Sequence, residues 1–154
     1  MEKSKLIIRP AVRDDVSRIV ELLAQDEITG QREKYQHPLP QSYYDAFEKI
    51  ARSESNQLVV AEVDGAVVGT LQLTLIPYLT TQGGARALVE AVFVDEQFRG
   101  QGVGRALMQW AIAQAQAAGC HMVQLTTNKQ RPETHRFYES LGFTPSHTGM
   151  KLLL

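Results

Sequence analysis

The sequence predicts an α+β domain, α/β-like in its alternation and built on a mixed sheet. Strand-length apolar runs and helix-period runs follow one another in the order β-α-α-β-β-β-α-β-α-β, which interleaves the two periodicities. Two β-branched runs, Gln57 to Val63 and Ala66 to Ile76, flank Asp64-Gly65, a pair suited to a two-residue hairpin turn because both positions tolerate positive φ. Gly100, Gly102 and Gly104 join an apolar strand run to a helical run. At 154 residues, with 44% hydrophobic and 21% charged side chains, the chain is sized for one compact domain over residues 1–154. No repeat, low-complexity tract or linker marks a boundary inside it.

Leu6, Ile7 and Ile8 make a first strand within Lys5 to Arg9, closed by Pro10. Val16, Ile19, Val20, Leu22 and Leu23 recur at helical spacing, with Asp14 or Asp15 supplying acid near the positive end of that helix. From Gln25 to Pro40 the pattern dissolves into a polar loop, long for a structureless connection and therefore a candidate lip on the substrate side. A second helix is expected from about Gln41 to Ser53. In the second hairpin strand Leu71, Leu73 and Leu75 alternate with Gln72 and Thr74, which gives it one buried and one polar face. Gly83-Gly84 turns the chain into Ala85 to Asp95, whose apolar residues fall on both parities, as in a central strand covered on both faces. Val103, Ala106, Leu107, Trp110 and Ala111 form the next helical stripe, stopped by Gly119. His121 to Thr127 reads as a strand, Pro132 as the first residue of a helix, Gly142-Phe143 as its cap, and His147 to Leu154 as a last strand.

A formal net charge of −1 argues against a general nucleic-acid or membrane-surface binder. A single cysteine, Cys120, excludes an intramolecular disulfide, and no Cys/His grouping has zinc spacing, so no metal is assigned. No apolar run approaches bilayer length. The expectation is a soluble, cytoplasmic protein, with a homodimer the common outcome at this size.

The glycine turn carries the most chemistry. Bare backbone opening a helix offers unpaired N–H groups at the positive end of the helix dipole, which suits a phosphate. A GxGxxG dinucleotide fingerprint starting at Gly100 fails at Arg105, and the P-loop pattern is absent. Arg-x-x-Gly-x-Gly, Arg99 to Gly104, together with HRFYESLGF, His135 to Phe143, resembles the GNAT superfamily of acyl-CoA-dependent N-acetyltransferases. The resemblance implies a mostly antiparallel central sheet flanked by helices, with strands splayed at the CoA site. It implies that the amides of Gly100, Gln101, Gly102, Val103, Gly104 and Arg105 grip the pyrophosphate of acetyl-CoA, with Arg99 and Arg105 adding charge. It also implies that the backbone at Val92, Phe93 and Val94 pairs with the pantetheine arm.

Glu90 lies between Leu88 and Val92 on one strand face, where lost hydration would make it a better proton acceptor; the resemblance allows it to serve as the base for the amine, and pairing with a cation is the alternative. Tyr138 matches the tyrosine that in many relatives lies near the departing sulfur and assists it as an acid; an aromatic core role beside Phe137 is the alternative. Asn128 is a candidate contact for the pantetheine arm or a cap for the next turn. Where many members carry Asn and Ala seven and four residues before the tyrosine, this chain has Arg131 and Thr134, which makes Arg131 a candidate phosphate contact. Asp26 or Glu27 could meet a cationic amine, with Tyr35 lining the same pocket. The implied activity is direct acetyl transfer from acetyl-CoA to a primary amine, expected to be a small molecule. A protein N-terminal or lysine acetyltransferase, or a non-catalytic acyl-CoA-binding module, are the rival readings.

Overall fold

The structure, a computed structural model, describes residues 3–154. The chain divides into two compact units, residues 1–124 and 125–154. In the first, β1 (Leu6–Pro10) leads through a 3-10 turn to α1 (Val16–Ala24) and α2 (Gln41–Arg52). The hairpin β2 (Asn56–Val63) and β3 (Ala66–Ile76) follows, then the single turn α3 (Thr80–Gly83), β4 (Arg86–Val94), α4 (Val103–Ala117) and β5 (Met122–Gln124). The sheet runs β1-β2-β3-β4-β5, antiparallel at every pairing except the parallel β4–β5. It is the expected mixed, mostly antiparallel sheet.

Local chemistry explains the boundaries. Asp64 and Gly65 both take positive φ, 49° and 88°, as the primed hairpin turn requires. After α4, Gly119 sits at φ 76°, and the N–H groups of Gly119 and Cys120 close back on the carbonyls of Gln116 and Ala115.

The alternation in β3 sorts the sheet into two faces. Leu71, Leu73, Ala87 and Val89 are buried on one, and α4 brings Val103, Leu107, Met108, Ala111 and Ala115 to the core. The approach of α4 depends on Gly69, where an added Cβ would stand 3.1 Å from Leu107 Cδ1 and 3.2 Å from the Phe93 carbonyl oxygen. The other face carries Thr70, Gln72 and Thr74, tied by hydrogen bonds: Thr70 Oγ1 donates to the Val59 carbonyl, and Gln72 Nε2 and Thr74 Oγ1 both donate to Asn56 Oδ1. Toward this side α1 contributes buried Val16 and Val20, which cluster with Leu39 and with half-buried Tyr43, Tyr44 and Phe47.

Three expectations are corrected. β4 is not covered on both faces, because Glu90 and Ala91 are exposed. β5 is three residues long where seven were expected, its ladder ending at Leu88↔Gln124. His147 to Leu154 forms no strand: its apolar composition fits the pattern, yet no ladder includes a residue beyond Gln124, and Met150 and Leu152 to Leu154 are exposed.

The second unit contains α5 (Pro132–Ser140), with Pro132 in its first turn as expected. Gly142 at φ 97° ends the motif; Phe143 N–H donates to the Tyr138 carbonyl, and the two rings meet edge to face at 5.8 Å.

Candidate active site

The centre of β4 departs from regular pairing. Gln72 pairs with Glu90 and Thr70 with Phe93, so Leu71 stands opposite both Ala91 and Val92, a β-bulge. Ala91 holds φ 53°, a left-handed conformation uncommon for a residue with a Cβ. Directly paired residues share a face, so Glu90 projects on the side that Gln72 lines. It is exposed, so the burial expected from Leu88 and Val92 does not occur. Beyond Leu88 the β5 side of β4 carries no ladder, and Val92, Phe93 and Val94 lie in that stretch.

Asp95 fixes the way out of β4. Its carboxylate is buried, accepts the Gln97 N–H at 2.9 Å and pairs with Arg18 of α1 at 2.6 Å, while Arg18 also donates to the Val67 carbonyl. Burial alone would raise the Asp95 pKa, but the Gln97 N–H and the Arg18 guanidinium hold it below the ordinary carboxylate range. Arg99 then folds back, its Nε donating to the Val94 carbonyl and its guanidinium 5.3 Å from the centre of the Phe93 ring. Gln101 donates to the Gln97 carbonyl.

Gly100 and Gly102 take φ of 74° and 86°, and a Cβ built on either would meet nothing within 4 Å. Gly102 is the N-cap of α4 and makes no side-chain capping hydrogen bond. Val103 is buried beneath the turn, and Arg105 is exposed on the first turn of α4. An open backbone cradle at a helix N-terminus fits a pyrophosphate.

A cavity of about 130 Å³ opens beside the bulge. Apolar side chains of α1 and α2, Val16, Val20, Phe47 and Ile50 among them, wall it with Leu58, and Ala91 reaches its edge. Its polar lining is Tyr43, Thr70 and Gln72. The Tyr43 hydroxyl donates to Glu33 at 2.7 Å and accepts the Lys34 N–H at 2.9 Å, which pins the 25–40 loop to α2. Burial raises the Tyr43 pKa above its ordinary value, and Glu33 adds to the rise against the Lys34 N–H.

The loop candidates lie elsewhere. Asp26 Oδ1 accepts the N–H groups of Ile28 and Thr29, Glu27 is exposed, and Tyr35 packs edge-on against His37; none of them lines the cavity. Tyr43 is the residue that sequence reasoning missed, although Tyr43, Phe47 and Ile50 share one helical stripe. The Arg18–Asp95 pair has no sequence signal, since its members are 77 positions apart.

In the second unit Tyr138 is buried, with Phe137 at 5.1 Å between ring centres. Burial raises its pKa, offset in part by the charge of Arg131. Asn128 Oδ1 accepts the Gln130 N–H at 2.9 Å, a turn-capping contact. Arg131 occupies the N-cap position of α5 without a side-chain capping hydrogen bond. Among the described residues no group of three or more His, Cys, Asp or Glu is placed to hold a metal ion, and no helix is long and apolar enough to cross a membrane.

Comparison with known proteins places this geometry. The chain is 31% identical over 107 residues to an aminoalkylphosphonate N-acetyltransferase of Salmonella typhimurium, a match covering 70% of this chain and 69% of that protein. It is 36% identical over 89 residues to a glucosamine 6-phosphate N-acetyltransferase of Trypanosoma brucei brucei, covering 57% and 58%. A solved structure described as a transcriptional regulator from Bacillus halodurans C-125 superposes with a TM-score of 0.95 at 47% identity, over 97% of this chain and 100% of that one. The sequence model of the acetyltransferase (GNAT) family matches residues 21–143, and the chain, with its five-stranded mixed sheet flanked by helices, belongs to that family.

Proposed function

We propose that residues 1–154 work as one catalytic domain that moves an acetyl group from acetyl-CoA directly to the primary amine of a small molecule. The observation that carries this reading is the succession along one stretch of chain: a bulged strand with an unladdered side, then two left-handed glycines, then a helix whose N-cap is the second of them. The amides from Gly100 to Arg105 would hold the pyrophosphate, and the backbone of Val92 to Val94 would line the pantetheine arm. Acetyl-CoA supplies the acetyl group as a thioester. The acceptor arrives as an ammonium group, and Glu90 takes one of its three protons, directly or through water, and passes it to solvent; the neutral amine nitrogen then bonds to the carbonyl carbon, the C–S bond breaks, Tyr138 gives its phenolic proton to the leaving sulfur, and a second nitrogen proton restores the phenol, which leaves the amide N–H. An exposed carboxylate suits that exit, since it can pass the proton on to water. The Tyr138 phenol carries its proton at neutral pH, as a donor must, and burial shifts its pKa further upward.

The named acceptors of two relatives, an aminoalkylphosphonate and glucosamine 6-phosphate, support a small amine over a peptide. Release of CoA thiol in the presence of a panel of amines tests the reaction. Gly102→Glu is expected to abolish acetyl-CoA binding, by placing a carboxylate in the anion cradle, while the circular dichroism spectrum stays native; calorimetric affinity unchanged from wild type would refute the assignment. Tyr138→Phe should lower kcat by about 100-fold with acetyl-CoA affinity unchanged, and should remove the alkaline limb of the kcat profile, expected above about pH 10 because the phenol is shifted upward. A second reading, an acyl-CoA-binding module without turnover, is favoured by the likeness to the protein described as a transcriptional regulator. It predicts acetyl-CoA binding with no CoA release for any amine.

A further inference from the structure

The relatives' acceptors carry a phosphate or phosphonate, and the cavity beside the bulge is not built for one. Its lining contains no lysine or arginine. Its three polar side chains are already engaged: Tyr43 with Glu33 and Lys34, Thr70 with Val59, Gln72 with Asn56. A phosphate seated there would lose hydration without gaining a cation from the lining, and would find only the second Nε2 hydrogen of Gln72 among the side-chain donors. Two carboxylates stand by its polar side chains, Glu33 on the Tyr43 hydroxyl and Glu90 across from Gln72, and each repels an anion and attracts an ammonium group, while Lys34 meets that hydroxyl through its main-chain N–H.

Size narrows the occupant further. An apolar cavity of about 150 Å³ accepts a benzene ring, and this one measures about 130 Å³. Resting on the acetyltransferase reading, we infer that the acceptor is a primary amine on a compact apolar body, a branched aliphatic group or a single aromatic ring, without a phosphate. The apolar body fills the space under α1 and α2, and the ammonium lies toward Ala91 and Glu90, where the transfer described above takes place. Tyr43 sets the depth of the site from α2.

A matched series tests this: ethylamine, isoamylamine, benzylamine, 2-aminoethylphosphonate and glucosamine 6-phosphate, each followed by CoA release. Each buried carbon contributes about fourfold, so kcat/KM for isoamylamine should exceed that for ethylamine by roughly sixtyfold, with benzylamine comparable and both phosphorylated amines below ethylamine. Ala46→Trp, an exposed position of α2 on the cavity lining, should erase most of that preference; retained acetyl-CoA affinity reports that the variant is folded. A flat series, or a preference for either phosphorylated amine, overturns this inference and leaves the transferase reading standing. Acetyl-CoA binding with no acetylation of any member overturns both.

Discussion

The two faces of the β3–β4 pair are made from the same two strands and do opposite work. On the α4 side Leu71 and Leu73 are 0% exposed, and a glycine is required to let the helix close enough. On the α1–α2 side the same strands present Thr70, Gln72 and Glu90, an alanine in a left-handed conformation and a cavity. The packed face is held by apolar contact. The open face adds to the apolar cluster of Val16, Val20 and Leu39 a set of hydrogen bonds and the ion pairs of Arg18 with Asp95 and Arg9 with Asp15. The contrast teaches that fold stability and chemistry are separated here by strand parity, one residue apart.

If that separation holds, the largest effect on stability should come from the packed face. Leu73→Ala, measured by urea unfolding, should cost about 2–5 kcal/mol through the lost contacts and the cavity left behind, with acetyl-CoA affinity of the remaining folded protein unchanged. Loss of affinity at constant fold would break the comparison. Next in size, Glu90→Gln on the open face should lower kcat by about 100-fold while changing stability by less than about 0.5 kcal/mol, as exposed substitutions do.

The smallest effect is the acid response, and it should be confined to the open side. Asp15 is buried, which opposes its charge, but Arg9 and the Val12 N–H bring its pKa below the ordinary value, as Arg18 and Gln97 do for Asp95. Carboxylates with lowered folded pKa values contribute stability that is complete above the unfolded value, about pH 4, and is lost as pH falls through the folded values. Amide exchange in α1 should therefore quicken below about pH 4 before exchange in α4 does, and Asp95→Asn should flatten that dependence. Equal acceleration in both helices would show that the two faces are not held differently.

Much of this arrangement was legible in the sequence, for reasons that differ by element. The β2–β3 hairpin could be read because Asp64-Gly65 has few other uses between two β-branched runs. The face division followed from Leu71, Leu73 and Leu75 alternating with polar residues. The glycine turn stood out because backbone chemistry requires glycine there. The bulge was invisible, since alanine carries no signal for the positive φ that Ala91 adopts. That hidden kink accompanies the exposure of Glu90, whose apolar sequence neighbours suggested burial. The apolar run ending at Leu154 satisfied strand composition, but composition cannot supply a pairing partner.

Under the proposed function the bulge at Ala91 and the turn from Gly100 to Gly102 share one property: each would present main chain to the ligand. A surface made of main chain is largely indifferent to which side chains are attached, provided the few residues that set its dihedral angles are kept. Walls such as Val20, Tyr43 and Phe47 have no such insulation, because each replacement there reshapes the acceptor's space directly. On that reading the donor would be inherited within this one scaffold while the acceptor stays open to revision, so that substrate range could drift without the acetyl chemistry being reinvented.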